Sequence, residues 1–295
     1  MSSSRPKLIL VDGTAVLYRS FHAIKELSTR DGRPTNALFG FIKKLRQTED
    51  SLRPTHWAVV LDGGLPAERV ALLPEYKAQR PPMPDALRGQ VDLAVEYLSR
   101  SGIAMVRKGG VEGDDLMASL AAWAEADSSA ILLVTSDKDM YQIVTEKIRI
   151  LPTASEAPEM GPREVEEKTG VTPQQIPDWL ALTGDTVDNI PGVPGVGAKT
   201  AAKLLQRFRT AENLMRHLDE VDSERIRAAL AAHRDAVSRN LQMVRLHRDI
   251  PCGVGWRELE RVPANAERLV PFLRDLEFES LIRPMEQGQG ELPLG

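Results

Sequence analysis

The chain of 295 residues carries a single cysteine, Cys252, so an intrachain disulfide is impossible and a cysteine-rich metal site is excluded. It also lacks any long apolar run. Residues 1–7 lead into only four apolar residues, 8–11, too few for the hydrophobic region of a secretory signal. No stretch approaches the roughly 18 to 20 apolar residues of a membrane span. The chain therefore reads as soluble and cytoplasmic, without a membrane partner. Nor is there an excess of positive charge: 38 Lys+Arg stand against 42 Asp+Glu, a net charge of −4. That total does not favour nucleic-acid binding, which relies on basic surface, so the distribution of charge has to decide. With 42% hydrophobic and 27% charged residues, the balance is that of a globular protein.

Short apolar runs at 8–11, 57–61, 103–106 and 131–134 read as buried strands, with a weaker candidate at 147–151. Amphipathic segments of helical length lie between them, at 37–48, 84–100 and 116–126. Alternation of this kind predicts βαβ units around a mostly parallel sheet. The pattern fades near residue 155. Beyond it the sequence predicts helices at 162–169, 173–183, 198–207, 223–246 and 265–276, after a surface connection at 152–158. The expected division is an α/β core over 1–180, a helical region over 181–285 and a tail over 286–295.

Acidic residues recur just beyond the predicted strands: Asp12, then Asp62, then Glu112, Asp114 and Asp115, then Asp137 and Asp139. In a parallel sheet the carboxyl ends of the strands share one edge, where ligands bind. Each residue alone has a plainer role. Asp-Gly after a strand is a common turn, acids in a first helical turn complement the macrodipole, and Asp-Lys-Asp suits a solvated loop. Together they are harder to dismiss, because crowded carboxylates repel one another unless cations compensate. Oxygen ligands without cysteine or clustered histidine favour Mg²⁺ or Mn²⁺. Asp185 and Asp188, spaced i, i+3, would share one face of a helical turn and make a second metal plausible.

Residues 191–205 hold a Pro-Gly-Val-Pro-Gly-Val-Gly-Ala-Lys turn leading into a helix with Lys199, Thr200 and Lys203. Gly192, Gly195 and Gly197 let backbone N–H groups approach a phosphate, and a helix N-terminus adds positive potential. This is a helix-hairpin-helix pattern, over about 184–207, that grips DNA backbone without reading sequence. A tight helix–helix connection is the plainer alternative. Residues 69–108 carry seven Lys+Arg against four Asp+Glu, and residues 195–250 carry eleven against seven. Positive stretches thus flank an acidic centre.

These motifs, in this order, resemble the 5′→3′ exonuclease domain of bacterial DNA polymerase I, within the flap-endonuclease superfamily. They comprise Asp12-Gly13, residues 18–23 (Tyr-Arg-Ser-Phe-His-Ala), Asp62, residues 76–84, Glu112-Gly-Asp-Asp115, Asp137-Lys-Asp139 and residues 184–197. The resemblance implies a PIN-like α/β core, a helical arch or clamp at about 69–100, and a hairpin region that binds K⁺. It implies one metal site lined by Asp12, Asp62, Glu112, Asp114 and Asp115. A second would be shaped by Asp137, Asp139, Asp185 and Asp188. It assigns Lys77 and Arg80 to the scissile phosphate, and Arg69 and Tyr76, with Gly192, Gly195, Gly197, Lys199, Thr200 and Lys203, to DNA. Leu61, Glu68 and Gly113 depart from the residues usual in that family.

The expected activity is two-metal hydrolysis of branched, nicked or 5′-flap DNA, with RNA primers as a further substrate and a DNA polymerase as a partner. A non-catalytic DNA-junction-binding module is the alternative reading. A PIN-type ribonuclease is disfavoured by the hairpin and the number of acids.

Overall fold

The computed structural model describes residues 8–127, 129–153 and 157–288. In chain order its elements are β1 (Leu8–Asp12), α1 (Gly13–Ala23), α2 (Asn36–Leu52), β2 (His56–Val60), α3 (Ala67–Leu72), α4 (Asp85–Ser101), β3 (Ala104–Val106), α5 (Gly113–Ala126), β4 (Ile131–Val134) and β5 (Ile148–Leu151). There follow α6 (Pro162–Thr169), α7 (Ile176–Thr183), β6 (Gly184–Asp185), β7 (Ile190–Pro191), α8 (Ala198–Phe208), α9 (Ala211–Arg216), α10 (Glu224–Ala232), α11 (Arg234–Val244), α12 (Ala266–Asp275) and α13 (Glu279–Gly288). No helix among the described residues is long and apolar enough to cross a membrane.

Two compact units divide these elements: residues 8–61, 82–106 and 253–288 form unit 1, and residues 62–81 and 107–252 form unit 2. This differs from the expected division at 180/181. Residues 253–288, expected with the helical region, pack in unit 1 instead. Trp57 N–H donates to the Leu259 carbonyl at 2.8 Å, and Arg261 N–H to that of Thr55 at 2.9 Å. A backbone ladder of this kind leaves no periodic mark in sequence. The expected tail begins later than residue 286, because α13 runs to Gly288. Residues 154–156 of the expected connection, and 289–295 of the tail, lie outside the described residues.

In unit 1, β3, β2 and β1 lie side by side in parallel, with Leu8 opposite His56 and Ala58 opposite Ala104. Leu8 to Val11 and Trp57 to Val60 are all buried, as unbroken apolar runs require when both sheet faces are covered. α1 was not expected. It starts because Asp12 accepts a hydrogen bond from Ala15 N–H at 2.9 Å, so the Asp-Gly is a helix cap rather than a turn. Gly13 is required there, since a Cβ would lie 2.4 Å from Val59. α2 buries Leu38, Phe41, Ile42 and Leu45, each worth about 1.5–3 kcal/mol of transfer free energy. α4, within the stretch expected to form an arch, packs against α2 and α12. Gln90, fully buried on α4, accepts from Leu38 N–H at 3.1 Å and donates to Asn36 at 3.0 Å.

In unit 2, β4 and β5 are parallel, with Ile131 opposite Ile148; α5 packs on β4 and buries Leu116 and Leu120. The continuous helix expected over 223–246 is two helices. His233 interrupts them with φ −115° and ψ 20°, its N–H shared between the Ala229 and Leu230 carbonyls. Neither Gly nor Pro marks the break. α11 lies on α7, where buried Asn240 donates to the Ala181 and Pro191 carbonyls at 3.1 and 2.8 Å.

Candidate active site

Unit 2 gathers acidic side chains from four separated segments. Asp62 accepts from Gly113 N–H at 2.7 Å, placing a carboxylate at the N-terminus of α5, where the helix dipole favours it. A Cβ on residue 113 would sit 3.0 Å from that oxygen, a close approach that the Asp62 side chain would relieve by a small shift. Glu112 caps the same helix and is 6% exposed, Asp115 is 1% exposed, and Asp114 is half-buried in the first turn.

Buried cations compensate two of these acids. Arg69, only 3% exposed, holds Asp115 through both ends of its guanidinium at 2.7 and 2.9 Å. It also pairs with Glu112, and it donates to the Arg245 carbonyl at 3.2 Å. Asp115 receives His247 N–H at 2.9 Å as well. Lys77 pairs with Glu112 and lies 3.6 Å from Asp188, whose other oxygen meets Arg80 at 2.5 Å. Burial alone would raise the pKa of Glu112, but Lys77 and Arg69 outweigh it and hold the carboxyl below its usual range. The Tyr76 hydroxyl, also buried, lies 3.0 Å from both Glu112 oxygens and 3.2 Å from Asp188 Oδ2.

A second group is compensated unevenly, with cations on Asp185 and Asp188 and, among the described residues, no ion pair on Asp139. Asp139, Asp185 and Asp188 each offer a carboxylate oxygen, all within 4.8 Å of one another. Asp137 accepts from Asp139 N–H at 2.8 Å, and Lys138 lies 3.2 Å from Asp185. Burial, then the charges of Asp137, Asp185 and Asp188, push the Asp139 carboxyl well above its usual range. Asp139 Oδ1 is buried without a hydrogen-bond partner. Crowded carboxylate oxygens, one of them orphaned, fit a hard divalent cation.

Asp185 and Asp188 do not share a helical turn, contrary to expectation. β6 and β7 pair antiparallel, Asp185 opposite Ile190, and Asp188 stands in the connecting turn. Two glycines permit this local fold. Gly184 adopts φ +73°, and a Cβ on Gly192 would lie 2.1 Å from the Thr183 carbonyl oxygen. The turn is tied to residues 75–79: Lys77 N–H donates to the Asp188 carbonyl at 3.0 Å, Gln79 to that of Thr186 at 2.8 Å, and Asn189 to that of Glu75 at 2.8 Å.

The site residues fall into three placements. Glu112, Asp115, Asp137, Asp139, Asp185 and Asp188 are linked in unit 2 with Lys77 and Arg80, while Asp12 caps a helix in unit 1. Gly195 and Gly197 are exposed before α8, as are Lys199 and Lys203 on it, with Gly192 and Thr200 half-buried. Arg69 and Tyr76, expected to contact DNA, are buried and turned to the carboxylates. The sequence reading missed Lys138 and the backbone groups of Arg245 and His247. Backbone donors and acceptors have no residue signature.

Residues 7–170 match the family model for the 5′–3′ exonuclease N-terminal resolvase-like domain, and residues 171–267 the model for its C-terminal SAM fold. A 5′–3′ exonuclease of Aquifex aeolicus is 34% identical over 281 residues, covering 95% of each chain. A DNA polymerase I of Mycobacterium bovis is 37% identical over 283 residues, which are 94% of this chain and 31% of that one. The chain thus spans about a third of the length of such polymerase relatives. The fold is that of the bacteriophage T5 D15 protein co-crystallised with metal ions (TM-score 0.68, 23% identity, 91% and 97% of the two chains). It is also that of the catalytic core of Rad2 in complex with DNA substrate (TM-score 0.67, 16% identity, 92% and 88%). With both domain models matched in order along one chain, the protein belongs to the 5′–3′ exonuclease family of nucleases.

Proposed function

We propose that this chain is a structure-specific 5′ nuclease, a 5′→3′ exonuclease and flap endonuclease acting on branched, nicked or 5′-flap DNA. The observation that carries the reading is the convergence of Asp139, Asp185 and Asp188 around the unpartnered Asp139 oxygen, with Lys77 and Arg80 at Asp188. These carboxylates, with Asp137, would hold one Mg²⁺ or Mn²⁺, and Asp62, Glu112, Asp114 and Asp115 would serve a second. Bound divalent ions supply Lewis acidity and a more acidic water for attack on phosphorus. Lys77 and Arg80 place positive charge where a scissile phosphate becomes more negative. Gly192, Gly195, Gly197, Lys199, Thr200 and Lys203 hold the duplex backbone, and K⁺ bound near them would add positive charge toward the phosphates. RNA primers are a second substrate on this reading, a DNA polymerase the partner, and the cytoplasm the setting.

The test uses a 5′-labelled double-flap DNA incubated with the protein in Mg²⁺, in EDTA, and with Asp185→Ala in Mg²⁺. Short 5′ products released only in Mg²⁺, and reduced about 100-fold or more in the variant, are expected. Binding without cleavage under every metal would make the protein a junction-binding module instead.

A further inference from the structure

Tyr76 was expected at the DNA, yet it is 4% exposed and turned inward. Its hydroxyl reaches acids from two distant segments: Glu112, at the start of α5, and Asp188, in the turn between β6 and β7. One phenolic proton faces three carboxylate oxygens at 3.0, 3.0 and 3.2 Å. A phenol is neutral at neutral pH and donates its proton to carboxylate oxygens, which only accept. Lys77 neutralises the same two acids, but an ammonium on a flexible stem is a poor ruler of distance. The phenol is rigid, and its position is set by the backbone. Tyr76 N–H donates to the Leu73 carbonyl, and the next residue, Lys77, is held at φ +55° with its N–H on the Asp188 carbonyl.

We infer that Tyr76 is a positioning residue: its hydroxyl ties Glu112 to Asp188 and sets the spacing of two carboxylates that receive metal. The inference rests on the metal-binding reading of the site. Donors to ligating carboxylates orient them, and losing such a donor costs about 10- to 100-fold in metal affinity or activity. Tyr76→Phe removes the oxygen alone and leaves the ring in place.

Mn²⁺ binding to wild type and Tyr76→Phe, followed by electron paramagnetic resonance, reads the link without cleavage. The expected result is a dissociation constant about tenfold weaker in the variant. Flap-DNA affinity in EDTA should be unchanged, because a buried phenol is not a DNA contact. A double-mutant cycle with Asp188→Asn should show a combined loss smaller than the product of the single losses. Should Tyr76→Phe lose its fold in EDTA, 3-fluorotyrosine at position 76 keeps the hydroxyl, and its ¹⁹F resonance should move on adding Mg²⁺. Equal Mn²⁺ affinity, multiplicative losses or an unmoved resonance overturns the inference while leaving the metal site standing. Weaker DNA binding in EDTA with unchanged Mn²⁺ affinity returns Tyr76 to a DNA role. A wild type that binds no Mn²⁺ overturns the metal reading and this inference with it.

Discussion

Around Glu112 and Asp115, buried carboxylates are matched by the guanidinium of Arg69 and the ammonium of Lys77; around Asp139 and Asp185, carboxylates face one another, with Lys138 on Asp185 alone. The consequence is opposite for the two regions. Glu112 is held below its usual pKa and Asp139 far above. A buried charge is tolerated when a partner replaces the water it loses. The first region has that partner in its own chain, whereas Asp139 in the second has no ion pair among the described residues and is kept neutral by burial and its acidic neighbours. On the proposed metal reading, a cation bound among Asp139, Asp185 and Asp188 would relieve repulsion, whereas one at Glu112 and Asp115 would compete with resident cations.

Removing Arg69 attacks the comparison hardest. Arg69→Ala leaves Asp115 and Glu112 buried without their cation, so urea unfolding in EDTA should show a loss of about 3–5 kcal/mol. A loss near zero would mean the first region is not self-compensated. Asp139→Asn should act in the opposite direction. Because the folded-state pKa of Asp139 lies above the usual 3.8, the wild type without metal loses stability as pH rises from about that value through the raised pKa. The variant therefore unfolds at a higher temperature than wild type in EDTA at pH 7, and the advantage vanishes below about pH 3.8. Equal melting curves across that range would place Asp139 with the compensated acids.

The smallest effect is expected on the exposed hairpin, outside both regions. Lys199→Ala should weaken binding to every DNA sequence alike and reduce the slope of log affinity against log salt by about 1. Metal binding should not change. If Mn²⁺ affinity falls with Lys199, the hairpin and the acidic regions are not the separate devices drawn here.

Much of this was legible in the chain. Strands over 8–11, 57–61 and 131–134 were apparent because buried parallel strands need unbroken apolar runs, and the structure buries each of them. The acids after those strands, and the glycines before Lys199, were apparent because metal and phosphate chemistry admits few residue types. Less legible were α1, whose short amphipathic pattern followed an Asp-Gly readily taken for a turn, and the break at His233, which neither Gly nor Pro marks. The i, i+3 spacing of Asp185 and Asp188 suggested a helical turn. Gly184 and Gly192 instead let the backbone close a two-residue hairpin ladder, and the acids still meet.

Kinds of side chain in a given order were enough to place this protein as an α/β member of the 5′–3′ exonuclease family and to single out its acidic residues and glycine-rich turn as candidate sites. Only the tertiary structure decided which charges neutralise which. Arg69 and Tyr76 read in sequence as DNA contacts, and Lys77 as a cation for the scissile phosphate. Folding turns Arg69 and Tyr76 into the interior and places all three on Glu112. A side chain's charge is written in its code, but its partner is set by distance and by the water that burial removes.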